Sequence, residues 1–286
     1  MRPGARLDPD RLTVAAGAPS LVGLRCPISE TRRYGAGVAP LASALGEHLG
    51  VAPRMIGEPT AHEDKRDWPT DVLDRRGCLL EAGGQVDDAL TAGAFPVLVH
   101  GDCSIGMTTL PVVARHRPDA RVLWLDAHGD FNIPDTTPSG WLAGMALAGA
   151  CGRWDPGFGI EPFPSKRIVL CGVRELDAGE RTLLQSSAVT VVGASLETLV
   201  YLQNALDGAP VFVHIDPDVL DPSAFPAELP VDGGLAEEKL YDLLDAVSDR
   251  CEVVGLEIAS FYAPEDPAER AACAARLADC VAPLLP

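Results

Sequence analysis

Basic residues are scarce in this chain. Lysine and arginine number 23 against 41 aspartates and glutamates, a formal net charge of −18 with a sequence pI near 4.6. Binding nucleic-acid phosphates or an anionic membrane surface needs a basic footprint, so the composition argues against both partners. Aromatic residues make up only 5% of the 286 residues. No apolar run reaches the roughly 18 residues of a membrane-spanning helix. The opening MRPGARLDPDRL has no apolar stretch of the kind a secretory leader carries, and a soluble cytoplasmic protein is the expectation. There is no Cys-x-x-Cys pair, which speaks against a zinc ribbon. The eight cysteines, at 26, 78, 103, 151, 171, 251, 273 and 280, fall partly within apolar runs. They read as reduced thiols, because a chain of this size buries enough surface without covalent staples.

What is present is a regular alternation. Short β-branched runs occur near 20–25, 52–56, 96–100, 121–126, 167–172, 189–193, 211–216 and 252–258. Amphipathic helical patterns lie near 37–49, 70–93, 104–116, 140–150, 177–186, 195–207, 236–249 and 266–284. Continuous apolar strands alternating with helices predict a single-domain α/β chain over residues 1–286, a three-layer α/β/α fold with a mostly parallel sheet of about eight strands. No repeat, low-complexity tract or linker interrupts it. Pro/Gly-rich segments at 133–140, 152–165 and 221–234 predict long loops, which in a compact domain are usually functional.

Three polar clusters directly follow predicted strands, where an open α/β sheet binds its ligands. Asp126-Ala-His128-Gly-Asp130 follows RVLWL. Its two carboxylates and imidazole suit a divalent cation such as manganese, iron or zinc, or else form an acidic turn with a surface histidine. Asp216-Pro-Asp218-Val-Leu-Asp221 follows VFVHI. Asp216 and Asp218 alternate as strand residues would, and a cis or distorted backbone at Pro217 would let both reach one ion. A buried aspartate at a strand end is costly unless paired or metal-bound; the alternative is an Asp-Pro turn. His100-Gly-Asp-Cys103-Ser follows PVLV, where a thiolate or imidazole completes a ligand set or Cys103 is an inert buried thiol. Together the clusters offer five or six ligands, too many for one zinc and suited to two ions that share carboxylates and activate a water.

DAHGDFN, HIDPDVLDP and GDCS resemble the arginase–agmatinase (ureohydrolase) family, whose patterns are DAHxDxN, SxDxDxxDP and GGDHS. RRYGAGVAPLASAL is similar to the family's N-terminal glycine-rich segment, and GVRELDAGE to its GxRDxDxGE stretch. The resemblance spans nearly the whole chain. It implies two divalent ions, usually manganese, bridged by Asp126 and Asp216. Asp130 and Cys103 would complete one ion, and His128 and Asp218 the other. An activated water would attack a guanidino carbon while Asp130 shuttles its proton. The family's amino-acid contacts fall on Asn132, Thr137 and Ser139 for the substrate carboxylate, and on Asp177, backed by Glu180, for the α-amino group. The substrate implied is a small arginine-like amino acid, and family members are often homo-oligomers.

The chain also departs from the pattern. Cys103 stands where the family carries a metal-binding histidine. A softer thiolate favours zinc, iron or cobalt relative to manganese and is oxidisable; His100 is the nearby substitute. This cysteine, with TLPVVARHRPDARVLWLDAHGDFN, GMALAGACGRWD and HIDPDVLDP, is similar to the Nω-hydroxyarginine amidinohydrolases of D-cycloserine biosynthesis, which release hydroxyurea. Ala143 in SGWLAGM replaces a mobile histidine that protonates the leaving amine. Ser260 in GLEIASFYAP replaces a glutamate that pairs with the guanidinium, a contact roughly twice as strong as a neutral hydrogen bond. Glu257, three residues earlier, aligns with a different acidic position under the site. Poor activity on arginine is expected unless another acid, Glu265 or Asp266, reaches in. A non-guanidinium substrate or a non-catalytic binding homologue is the alternative.

Overall fold

Apolar runs such as VLWL and VFVHI are buried on both faces, and that requires helices on either side of a parallel sheet. The computed structural model describes residues 17–26, 32–58, 67–193 and 198–286. Its strands are β1 (Pro19–Leu24), β2 (Arg54–Ile56), β3 (Phe95–Val99), β4 (Arg121–Leu125), β5 (Ile168–Cys171), β6 (Thr190–Val192), β7 (Val211–Ile215) and β8 (Val253–Ile258). The helices are α1 (Arg32–Leu49), α2 (Trp68–Thr91), α3 (Gly106–His116), α4 (Ala146–Ala150), α5 (Ala178–Gln185), α6 (Thr198–Leu206), α7 (Glu237–Ser248) and α8 (Pro267–Val281). All strands pair in parallel in the order β2-β1-β3-β8-β7-β4-β5-β6.

Successive strand residues point to opposite faces and so build two cores. Val97, Val99, Leu123, Leu125, Val213 and Ile215 pack with Leu41 and Leu45 of α1, Leu202 of α6, Leu244 of α7 and Leu277 of α8. Leu98, Val122, Trp124, Leu170 and Phe212 pack with Leu79 and Val86 of α2, Leu110 of α3, Leu147 of α4 and Leu184 of α5. The result is the three-layer α/β/α sandwich the alternation predicts. No described helix is long and apolar enough to cross a membrane.

Most element bounds agree with the sequence pattern to a few residues, and the exceptions have local causes. The predicted helix at 140–150 is split into a 3₁₀ turn at Ala143–Met145 and the short α4. A 3₁₀ turn at Cys103–Ile105 precedes α3. The opening MRPGARLDPDRL and residues 195–197 of a predicted helix lie outside the described residues. The expectation of eight reduced cysteines is corrected: Cys26, just after β1, is disulfide-bonded to Cys78 of α2. Helix α2 packs against β1, which brings the two Cα atoms to 5.8 Å, inside the range a disulfide spans. Cys103, Cys151, Cys171, Cys251, Cys273 and Cys280 are free.

Candidate metal centre

The sheet order puts β3, β8, β7 and β4 side by side, so their carboxyl ends form one mouth. Each end contributes a functional residue, although the four lie as much as 157 positions apart in sequence. Cys103 follows β3, Asp126 to Asp130 follow β4, Asp216 and Asp218 follow β7, and Ser260 follows β8. They line one cavity of about 390 Å³.

Each turn is shaped by its own sequence. Asp102 caps the 3₁₀ turn that carries Cys103, accepting a hydrogen bond from Ser104 N at 3.0 Å. The fully buried Arg75 ties that turn to α2, with Nη1 2.9 Å from Asp71 and Nη2 2.6 Å from Asp102. The expectation that Asp216 and Asp218 alternate as strand residues is corrected, and of the cis or distorted backbone expected at Pro217 the structure has the distorted, trans form. Strand β7 stops at Ile215, and Pro217–Val219 is a 3₁₀ turn capped by Asp216, whose Oδ1 accepts from Asp218 N at 2.9 Å. No peptide bond among the described residues is cis. The tight turn, rather than strand alternation, brings both carboxylates to one side. Arg174 of the GVREL stretch stitches the loops together, donating to the carbonyls of Gly172, Val219, Asp218 and Val231 at 2.8–3.1 Å.

Two ligand clusters share one residue. Cys103, Asp126 and Asp130 have donor atoms within 4.8 Å of one another, and so do Asp126, His128 and Asp218. Asp216 joins the first group, its Oδ2 accepting from Cys103 Sγ at 3.2 Å. His128 Nδ1 lies 2.9 Å from Asp218 Oδ2 and 3.4 Å from Asp126 Oδ1. Backbone donors fix the carboxylates: His128 N to Asp126 at 2.7 Å and Ala127 N to Asp218 at 3.0 Å. Asp130 adopts a left-handed φ of 47°, a conformation that non-glycine residues hold only where surroundings impose it.

The electrostatics fit cations. Burial, then the neighbouring carboxylates, push Asp216 and Asp130 well above the usual carboxylate range, and burial with Asp218 pushes Asp126 up. Burial opposes a charge on His128, but Asp126 and Asp218 overcome it and push its pKa up to about 12. Burial and Asp216, Asp130 and Asp126 raise the Cys103 thiol. Asp130 Oδ2 is buried with no hydrogen-bond partner. Packing this much negative potential away from water is costly unless positive charge is bound there. Carboxylate oxygens, one imidazole and one sulfur are a donor set for divalent transition metals.

The remaining predicted residues divide. Asn132, Ser139, Asp177, Glu180 and Ser260 line the same cavity as the candidate ligands. Asn132 Nδ2 donates to Asp177 at 3.0 Å, and Asp177 and Glu180 form the capping box of α5. Glu180 also accepts from Phe131 N at 2.8 Å, an approach that requires glycine at 129, where a Cβ would stand 2.5 Å from the carboxylate. Thr137 is not a lining residue; its hydroxyl instead accepts from Gly140 N at 3.0 Å and supports the turn that carries Ser139. Glu265 and Asp266 do not reach in: Glu265 pairs with Arg33 on the surface and Asp266 caps α8. His100 is no substitute for Cys103, because its ring groups with Cys26 and Cys78. Glu257 is fully buried and pairs with His214 at 2.7 Å.

Among the lining residues that sequence reasoning missed are Tyr34 of α1, Trp141, Glu175 and Glu228. Glu228 lies in the predicted 221–234 loop, which Asp221 closes by accepting from Gly233 N at 2.9 Å and Gly234 N at 3.2 Å. Burial, then Asp216, Asp218, Cys103 and Glu228, hold the Tyr34 phenol protonated. The available signals were the tyrosine inside RRYGAG and the single glutamate of the 221–234 loop.

The sequence model of the Arginase family matches residues 1–282. This chain belongs to the arginase family. It is 38% identical to an N(omega)-hydroxy-L-arginine amidinohydrolase of Streptomyces lavendulae over 86% of its length and 89% of that protein. It is 32% identical to an arginase of Bacillus caldovelox over 80% of its length and 86% of that protein. The fold matches the crystal structure of Bacillus cereus arginase with a TM-score of 0.80 at 24% identity, covering 94% of this chain and 98% of the other. Arginase-family proteins are metal-dependent hydrolases of guanidino C–N bonds that use a dinuclear centre, and this chain is an enzyme of that class.

Proposed function

We propose that the protein hydrolyses the guanidino C–N bond of an Nω-hydroxyarginine-like amino acid, giving hydroxyurea and an amino-acid product. The observation that carries this is Asp126, which belongs to two ligand clusters at once. Asp126 and Asp216 would bridge two ions; Cys103 and Asp130 would complete one, His128 and Asp218 the other. Manganese is the family's usual metal, and Cys103 opens the site to zinc, iron or cobalt. The metals would activate a water and polarise the attacked carbon.

The chain's own groups do the rest. Asn132 and Ser139 receive the substrate carboxylate, and Asp177, held by Glu180, receives the α-amino group. Asp130 accepts the proton of the attacking water. Ala143 lines the cavity without a proton to give, and the protonated Tyr34 hydroxyl is a neutral donor facing the same cavity. Ser260 lies beside Cys103, Oγ to Sγ 3.5 Å. It offers one neutral hydrogen bond where a carboxylate would grip both nitrogens of a guanidinium. N-hydroxylation makes a guanidine less basic and adds a hydroxyl, so this cavity suits the hydroxylated group better than arginine itself.

The test is a panel of hydroxyarginine, arginine, agmatine, guanidinobutyrate and formimidoglutamate on metal-loaded protein, scored for hydroxyurea, urea and ammonia. Hydroxyarginine should be the best substrate, with activity and metal lost together in Asp126→Ala and Asp216→Ala. Preference for agmatine or formimidoglutamate, or full activity in either variant, would overturn the reading.

A further inference from the structure

A second cluster of ligating atoms includes His100, the first residue after β3. The sulfurs of Cys26 and Cys78 and a ring nitrogen of His100 all lie within 4.8 Å of one another. Cys26 and His100 are buried, and Cys78 is partly exposed on α2. His100 Nδ1 is engaged by Asp102, 2.8 Å from its carbonyl oxygen and 3.0 Å from its amide nitrogen. Nε2 is buried and has no hydrogen-bond partner.

A disulfide does not account for that nitrogen. A buried polar atom left without a partner carries its full desolvation cost, and disulfide sulfur is a weak acceptor. The arrangement is instead that of a ligating histidine, whose second ring nitrogen is oriented by a backbone carbonyl. Two cysteines and one histidine are a donor set for zinc, and three protein ligands leave a fourth position for water. Cys78, at the surface, provides the entry path.

We infer that Cys26, Cys78 and His100 form a second metal site, selective for a soft divalent ion such as zinc and open only when the cysteine pair is reduced. The disulfide and the metal-bound dithiolate are alternative states of the same pair. A dithiol reductant opens the disulfide, becoming a disulfide itself and leaving two protein thiols. Zinc then displaces both thiol protons, so one ion is bound and two protons are released. This inference is independent of the substrate assigned to the catalytic cavity.

The test uses the full chain saturated with manganese, one portion oxidised and one reduced with a phosphine that is then removed. Zinc uptake is measured by elemental analysis and by competition with a chromophoric chelator, with manganese followed in parallel. Reduced protein should take up one zinc per chain more than oxidised protein, at unchanged manganese content. That difference should vanish in Cys78→Ser, and zinc affinity should fall at least tenfold in His100→Gln. Equal uptake by both redox forms would overturn the inference. So would unchanged uptake by reduced Cys78→Ser, whose partly exposed position on α2 tolerates the change. Unchanged affinity in a folded His100→Gln would remove the histidine from the site.

Discussion

The indole N–H of Trp124 donates to Asp126 Oδ2 at 3.1 Å, and the same ring lies flat on the His214 imidazole, with centroids 3.4 Å apart and planes within 6°. Trp124, His214 and Glu257 are register partners on three adjacent strands, so a buried row under the cavity aims the carboxylate that both ligand clusters share. Orienting partners of this kind are worth 10–100-fold in metal affinity. Trp124→Phe keeps most of the ring volume and removes the N–H. It should lower metal affinity about tenfold or more, and activity should return in excess metal. A variant that binds metal normally yet is inactive would show that the indole acts in some other way.

Cys103 is the proposed ligand that replaces the family's histidine. Its Sγ faces Asp216 Oδ2 at 3.2 Å and is 2% exposed, so a bound metal would have to displace a thiol proton that burial otherwise retains. Cys103→His should shift metal preference towards manganese, measured as the ratio of manganese to zinc retained after equilibration with both. An unchanged ratio would mean that the sulfur is not a ligand.

Much of this architecture was legible in the sequence because its causes are local. Continuous runs such as VLWL and VFVHI state a strand buried on both faces, and DAHGD and DPD directly after them state where the chemistry sits. What was hidden depends on the order of strands. Nothing in the sequence says that β8 lies between β3 and β7, which is what carries Ser260 to Cys103 and seats Glu257 against His214. Glu265 and Asp266 were the first acids to follow Ser260 in sequence, yet helix capping and Arg33 claim them. The glutamates that do reach the cavity unforeseen, Glu228 and Glu175, come from the loops after β7 and β5. The Cys26–Cys78 pair was missed for the same reason, since 52 residues separate them and only the docking of α2 joins them.

Glu180 gives the metal-free protein a defined pH dependence. Burial raises its pKa from an ordinary value near 4.5 to about 7, against the hydrogen bonds from Phe131 N and Asp177 N that favour the ionised form. The folded state therefore holds a proton that the unfolded state has released, and stability falls as pH rises wherever that is so. The contribution is fully present below about 4.5 and is lost by about 7, a change of about 3 kcal/mol at most. Glu180→Gln should remove this slope, so that the urea midpoint of the chelator-treated variant rises relative to that of wild type as pH rises through that window. Parallel curves would show that Glu180 is ionised throughout.

On the proposed function, Ser260 is the residue that decides between arginine and its hydroxylated form. The residue holds a left-handed φ of 55°, so its short side chain is presented from a strained turn at the end of β8, beside Cys103. A glutamate there would meet the same backbone demand as serine, because both carry a Cβ, so the substitution changes reach and charge more than strain. A carboxylate–guanidinium contact adds about 1.5–3 kcal/mol where a neutral contact adds about 1. Ser260→Glu should therefore raise kcat/KM for arginine about tenfold while leaving metal content unchanged. Activity on hydroxyarginine should gain less, since its distal group is less basic. The ratio of the two kcat/KM values is the measurement, because it cancels any loss of active protein. A ratio that stays fixed would mean that discrimination lies elsewhere in the cavity, with Glu228 and Glu175 the next acids to replace.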